Sequence, residues 1–357
     1  MAQLDPAIIP SGHEAYTRML SDITAAKREV VYANFCFLPG KSFNRLADAL
    51  TTAAKRGVEV YIVADWYGSS ALGEKRVAKL RAAGVQWTWF RPKRWRTIAS
   101  YNRRMHKKLL IVDRRVAYTG GVGWADFWER PTVEYPAAWR DTHFRITDSG
   151  TITAMYNSAI DSWNKFSGHK LTPLKTALTG AKILNSVPPR LHRLSPAGRQ
   201  FADSLDLART AVKITTAYFG PSRSLRQALI RTAKRGVKVE LLLNGPHASH
   251  EIAAQAGRAY YDQLLKAGVQ IYEYQPTKLH AKLMTIDGRQ AIIGSANWNF
   301  RSLHHDQECN LTVASADFCR QLDRQFEADK RQSARITEVD PSQIWKQRLS
   351  SLGRYFF

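Results

Sequence analysis

Apolar residues recur along the chain in two rhythms. The short runs Val30–Phe37, Val58–Asp65 and Val85–Phe90 are continuous and rich in β-branched and aromatic side chains, as expected of strands buried on both faces. Between them, Ser42–Arg56 and Ala71–Ala83 space their apolar residues three and four apart, and each stops at a glycine, Gly57 and Gly84. That is the pattern of an amphipathic helix with a glycine stop. Lys107–Val112 and Val116–Tyr118 then read as adjacent strands, and Ala154–Phe166 as a closing helix. Strand–helix alternation predicts a sheet with helices on both faces.

The same order of blocks returns in the second half. AAKRGVEVYIVAD (Ala53–Asp65) recurs as TAKRGVKVELLLN (Thr232–Asn244), and KLRAAGVQWTWF (Lys79–Phe90) as QLLKAGVQIYEY (Gln263–Tyr274). VVYANFCFLPGKSF (Val30–Phe43) is echoed by ITTAYFGPSRSL (Ile214–Leu225). Ala281–Ile286 and Gln290–Ile293 repeat the paired strands, and Ala316–Ser333 the closing helix. Repetition at this length signals a duplicated domain, with 357 residues enough for two cores. Thr172–Pro196, with Pro173, Gly180, Pro188, Pro189 and Pro196, reads as a linker between domains at 1–171 and 197–357.

Composition narrows the classes. No run of about 18 apolar residues is present to span a bilayer. The N-terminus has no basic stretch followed by an apolar one, and Cys36, Cys309 and Cys319 have no metal-type spacing. A reduced, cytoplasmic protein is expected. The net charge of +23 calls for an anionic partner. The charge is concentrated in RPKRWRTIASYNRRMHKK (Arg91–Lys108), which contains no acid. There Arg91, Lys93, Arg94, Arg96, Arg103 and Arg104 mix with Trp95 and Tyr101. Such a mixture suits a membrane–water interface or stacking on single-stranded nucleic acid.

The candidate chemistry lies where that basic run ends. HKKLLIVD contains His106, Lys108 and Asp113, and HAKLMTID, 174 positions later, contains His280, Lys282 and Asp287. Each motif is followed seven residues after its aspartate by a glycine, Gly120 and Gly294. A duplicated His/Lys pair is what phosphodiester chemistry through a phosphohistidine requires, one imidazole to attack and one to protonate the leaving group. On a strand, residues i and i+2 share a face, so each histidine is expected beside its lysine. Asp113 and Asp287 complete the candidate catalytic motifs but end their strands, where they are expected to hold the turn or a lysine.

The two H-x-K-x-x-x-x-D motifs resemble those of the phospholipase D superfamily, over roughly residues 23–348. Within it, NRRMHKKLLIVDRRVAYTGGVGWAD (Asn102–Asp126), WRDTHFRI (Trp139–Ile146), TAYFGPSRSL (Thr216–Leu225) and HAKLMTIDGRQAIIGSANWNFRS (His280–Ser302) are similar to segments of bacterial cardiolipin synthases. Ala217, Gly123 and Trp298–Asn299 depart from that pattern. The resemblance implies an α/β fold of two tandem phospholipase D-like domains. Each would be a mixed sheet flanked by helices on both faces, related by a pseudo-twofold with the active site at the domain interface. It implies phosphatidyl transfer from phosphatidylglycerol to an alcohol, giving cardiolipin. His106 would be the nucleophile and His280 the acid and base, while Lys108 and Lys282 neutralise the phosphate. Ser295 and Asn297 would donate to the same oxygens, and Asp141 and Glu308 would orient the imidazoles.

With lysines supplying the charge, no metal or organic cofactor is called for, and His143, His304 and His305 are expected to be polar strand or loop residues. The expected partners are phospholipid substrates and an anionic membrane surface on the inner face of the cell membrane. One chain carries both half-sites, so a monomer is expected to act. Phospholipid hydrolysis and a phosphodiesterase acting on nucleic acid are the alternatives.

Overall fold

A computed structural model describes residues 6–92, 103–175, 182–186, 195–248 and 251–339. The chain divides into two compact units. The first is Met1–Ile183 with the short segment Gln307–Cys309, and the second is Leu184–Asp306 with Asn310–Phe357.

The first unit is built on seven strands: β1 (Ala7–Ile9), β2 (Glu29–Asn34), β3 (Glu59–Asp65), β4 (Gln86–Phe90), β5 (Lys108–Val112), β6 (Val116–Gly120) and β7 (His143–Ile146). Their order is β1-β7-β6-β5-β2-β3-β4. β2, β3 and β4 run parallel because a helix returns the chain between them, Lys41–Lys55 and then Glu74–Ala82. β5, β6 and β7 are antiparallel to their neighbours. Alternation divides the strands between two faces. Val30, Tyr32, Val60, Ile62 and Leu110 join Tyr16, Leu46, Leu50 and Val77 in one core. On the other face, Tyr61 packs edge-on against Trp163 of helix Ser149–Phe166, centroids 5.4 Å apart.

The remaining strands are β8 (Lys182–Ser186), β9 (Ala211–Thr215), β10 (Phe219–Gly220), β11 (Lys238–Asn244), β12 (Gln270–Tyr274), β13 (Leu283–Ile286), β14 (Gln290–Gly294), β15 (Trp298–Asn299), β16 (Glu308–Val313) and β17 (Ser333–Ile336). The second sheet has the order β17-β12-β11-β9-β13-β14-β16-β8. β9, β11 and β12 repeat the parallel part, and β13, β14 and β16 the antiparallel part. Val239, Leu241, Ile214 and Met284 face Phe201, Leu225, Leu229 and Leu264 in its main core. The expected α/β class and the two mixed sheets are found.

Several local expectations change. The strand expected to reach Phe37 stops at Asn34. The helix expected over Ala71–Ala83 is a 3-10 turn, Ser70–Leu72, then Glu74–Ala82, broken at Gly73, whose φ of +79° is left-handed. The expected linker contains β8, an edge strand of the second sheet. The last helix ends at Lys330 and the chain re-enters the sheet as β17. The basic aromatic tail, residues 345–357, lies outside the described residues. Among the described residues, no helix is long and apolar enough to cross a membrane.

Candidate active site

Both motif hairpins are fastened from below by their aspartates. Asp113 and Arg114 (φ +51° and +53°) form a left-handed turn closed by the Arg115 N–H on the Val112 carbonyl, at 3.0 Å. Asp287 and Gly288 (φ +52° and +61°) repeat it, with Arg289 N–H on Ile286. Two such residues make a tight hairpin turn matched to the twist of the strands. The Asp113 carboxylate accepts the N–H groups of Lys27, Arg28 and Glu29 at 2.8, 2.8 and 3.0 Å. The Asp287 carboxylate accepts those of Arg209, Thr210 and Ala211 and the Thr210 hydroxyl, the last three at 2.8, 3.0 and 2.9 Å. Each thus ties its hairpin to the entry of the neighbouring strand, β2 or β9. Asp113 accepts from backbone N–H groups, and Asp287 from backbone N–H groups and the Thr210 hydroxyl.

Partial burial opposes ionisation of both carboxyls, but the backbone N–H bonds outweigh it and hold their pKa values below the usual range. A depressed folded-state pKa contributes stability above the unfolded value, near about 4, and that stability is lost as pH falls through the folded one. Asp113→Ala and Asp287→Ala should each cost about 1–3 kcal/mol in urea unfolding at pH 7, with the deficit vanishing in acid. An equal deficit at pH 7 and in acid would refute this assignment.

His106 lies two residues before β5, in extended backbone rather than in the strand, and is fixed from several sides. Its N–H donates to the Gln307 carbonyl at 2.9 Å, and the Gln307 N–H to the Arg104 carbonyl at 2.8 Å. This bridge sets the next residue, Glu308, against the imidazole: His106 Nδ1 lies 2.9 and 3.1 Å from the two Glu308 oxygens. Glu308 is fully buried and the His106 side chain 12% exposed. A carboxylate has only acceptors, so Nδ1 carries the hydrogen and in the neutral ring Nε2 keeps its lone pair. Phe35 packs edge-on to the ring at 5.0 Å. Lys108 is buried and donates to the His106 carbonyl at 2.8 Å.

Gln307 is held in turn: its side-chain oxygen accepts from Ser162 Oγ at 2.9 Å. Beside it the buried Lys107 donates to the Ser158 carbonyl at 3.0 Å. Burial pushes the Lys107 ammonium down to about 8. Sequence reasoning missed this clamp; strand alternation would have shown only that Lys107 points away from His106.

In the second unit His280 and Lys282 are both buried, and their extended backbone also precedes the strand. Lys282 Nζ lies 2.8 Å from His280 Nδ1, so histidine and lysine stand together as expected. Nε2 of the same ring lies 3.1 Å from Lys282 Nζ. Lys282 also bonds the His280 carbonyl. Ser295 and Asn297, expected at the phosphate, follow β14 and are buried, and Asn297 Oδ1 has no partner among the described residues.

In the first unit the counterparts of these residues are Gly121 and Gly123. A Cβ on Gly121 would lie 2.1 Å from Asp141 Oδ1, and one on Gly123 would lie 2.9 Å from Trp128. Packing, not chance, makes them glycines. Asp141 is fully buried, with Trp128 Nε1 donating to it at 2.9 Å and the Thr142 N–H at 2.8 Å. It stands two residues before His143, as Glu308 stands two before Asn310, and His143 and Asn310 occupy matching registers opposite Gly120 and Gly294.

The basic run needs correction. Arg104, expected on the anionic surface, is buried at 2% exposure, 3.5 Å from the buried Asp65 carboxylate. Both sides of this segment are covered, since Met105 and Lys107 beside it are buried as well. Asp65 also accepts the Met105 N–H at 2.8 Å. Lys278 repeats Arg104 in the second unit, buried and donating to the Tyr218 hydroxyl at 2.9 Å. The constant offset between the motifs could have revealed this second pair of cations. Arg91 is half-buried and Arg103 exposed. Lys93, Arg94, Trp95 and Arg96 lie outside the described residues. His143 is a buried strand residue, while His304 stacks on Phe300 at 4.2 Å. No three His, Cys, Asp or Glu side chains gather as a metal-binding set among the described residues.

The chain is similar to known proteins along most of its length. The family model described as cardiolipin synthase, PLD-like domain, matches residues 19–134 and 201–330. A cardiolipin synthase of Oceanobacillus iheyensis is 30% identical over 92% of this chain and 69% of its own length. The major cardiolipin synthase ClsA of Bacillus subtilis is 30% identical over 97% and 73%. Among solved structures, phosphatidylserine synthase of Haemophilus influenzae superposes with a TM-score of 0.76 at 13% identity, covering 99% of this chain and 96% of that one, a likeness of fold. The paired motifs, the repeated sheets and these matches agree: the chain belongs to the phospholipase D-like domain family of the cardiolipin synthases.

Proposed function

We propose that this chain is a phosphatidyltransferase that makes cardiolipin from two molecules of phosphatidylglycerol through a phosphatidyl-histidine. The observation that carries this reading is the grip of Glu308 on His106 Nδ1, at 2.9 Å. It leaves Nε2 with its lone pair for attack. His106 Nε2 forms a bond to the donor phosphorus as the bond from phosphorus to the glycerol oxygen breaks, and His280 gives that oxygen a proton. The hydroxyl of the second lipid then returns a proton to His280. Its oxygen bonds the phosphorus as the nitrogen–phosphorus bond breaks. Lys108 and Lys282 stabilise the charge on the non-bridging oxygens, aided by Ser295 and Asn297. Asp141 stands in the position equivalent to Glu308. The family membership supports the lipid donor, and the net charge of +23 supports work at an anionic membrane face.

Phosphatidylglycerol vesicles with the purified chain test this reading. Cardiolipin and free glycerol in equal amounts are the expected products. Phosphatidic acid with glycerol would mean that water is the acceptor. Cleavage of oligonucleotides with no lipid turnover would replace this proposal with a nuclease.

A further inference from the structure

Asn34, Lys108, Gly120 and His143 stand side by side across four strands of the first sheet. Asn34 pairs with Lys108, and Gly120 with His143. The register that sets Leu110 opposite Tyr118, carried two residues on, sets Lys108 opposite Gly120. Directly opposed residues share a face. His143 leans across the glycine: a Cβ on Gly120 would lie 2.7 Å from His143 Nδ1 and 2.5 Å from the Thr142 carbonyl oxygen. The Gly120 φ of +144° also suits only glycine. The glycine seven residues after the motif aspartate therefore leaves the space that His143 occupies, in register with Lys108. His143 is buried, and its Nδ1 has no hydrogen-bond partner among the described residues.

The second unit repeats the row with one exchange. Carrying the registers one residue on sets Thr216, Lys282 and Gly294 in line, and Gly294 pairs with Asn310. Asn310 and Lys282 line the same small void of about 10 Å³. Asn310 is buried, and its Nδ2 lacks a partner among the described residues. A polar side chain on the outer strand thus stands in line with each motif lysine across a glycine, an imidazole in one half and an amide in the other.

We propose that His143 is the positioning residue of Lys108, a neutral imidazole that gives the lysine ammonium an acceptor on the sheet side and so sets where its charge meets the substrate phosphate. The proposal rests on Lys108 serving that phosphate, as read above. Burial, and then the Lys108 charge, push the His143 imidazole down to about 3. It is therefore an uncharged acceptor at any working pH, and an amide can replace it, as in the other half. An ammonium has three donors, and one of them goes to the His106 carbonyl.

Tungstate, a tetrahedral oxyanion, probes the phosphate site without assuming a lipid substrate. His143→Leu should weaken tungstate binding in calorimetry about tenfold and lower kcat on phosphatidylglycerol vesicles by a similar factor, whereas His143→Asn should stay within about threefold of wild type. In a Lys108→Met background, His143→Leu should cost nothing more, because its effect passes through the lysine. Should leucine prevent folding, His143→Ala replaces it in the same cycle. A leucine variant that binds as wild type, an asparagine variant as damaged as leucine, or a full loss persisting without Lys108 would overturn the proposal. So would a wild type that binds no tungstate. Coupling to Lys108 in a protein that makes no cardiolipin would instead refute the lipid reading and leave this one standing.

Discussion

His106→Ala should abolish cardiolipin formation, with a loss of at least about 10⁴-fold in kcat, while vesicle binding stays unchanged. The size follows from the role proposed for the imidazole. Alanine removes the atom that would bond phosphorus, and no neighbour replaces it: Lys108 is turned to the His106 carbonyl and Phe35 is apolar. The fold should persist with a lower melting temperature, because the buried Glu308 loses the imidazole. The His106 backbone is fixed through Gln307 whatever the side chain, and the imidazole is not in a hydrophobic core cluster. Product analysis by mass, beside a melting curve, separates the two effects. A variant that retained a tenth of the activity would remove His106 from the chemistry.

Glu308→Gln should lower kcat by about 10²–10⁴-fold with little change in KM. The carboxylate is fully buried and faces Nδ1 with both oxygens. Its charge selects the tautomer with hydrogen on Nδ1 and stabilises the cationic ring formed during transfer. A glutamine of the same size keeps the packing but can turn its NH₂ toward the ring and select the wrong tautomer. Substrate contacts are untouched, so the loss falls on kcat. Removing a buried carboxylate should leave the melting temperature unchanged or raise it. A fall in stability with unaltered kcat would make Glu308 a structural residue.

The backbone plan was legible because both periodicities are strong and occur twice. The strands and helices of each sheet read directly from apolar spacing. The histidine–lysine proximity was legible as an i, i+2 pair. The carboxylate assignment was legible only in part. Asp141 and Glu308 were read as a pair, but the side-chain pattern does not state which ring each one meets. The Glu308–His106 contact depends on the bridge between Met105 and Gln307, formed by residues some 200 positions apart. Arg104 was misread because charge counts take no account of tertiary burial, and the fold covers this cation beside Asp65. The linker was read from its prolines and glycine, which mark turns but do not exclude the five-residue strand Lys182–Ser186 between them. The approach of His143 over Gly120 involves three strands at once and has no trace in local pattern beyond the repeated glycine.

The most direct test of a phosphohistidine on His106 combines one variant with one activated donor. Phosphatidyl-p-nitrophenol carries a leaving group that departs without a proton, so His280→Ala should still be attacked but should lack the base that activates the second alcohol. The account predicts one equivalent of p-nitrophenolate released in a burst, and a phosphatidyl adduct on the peptide containing His106 in the alkaline-quenched protein. Steady turnover with no adduct, or an adduct on His280 in the His106→Ala protein, would contradict it.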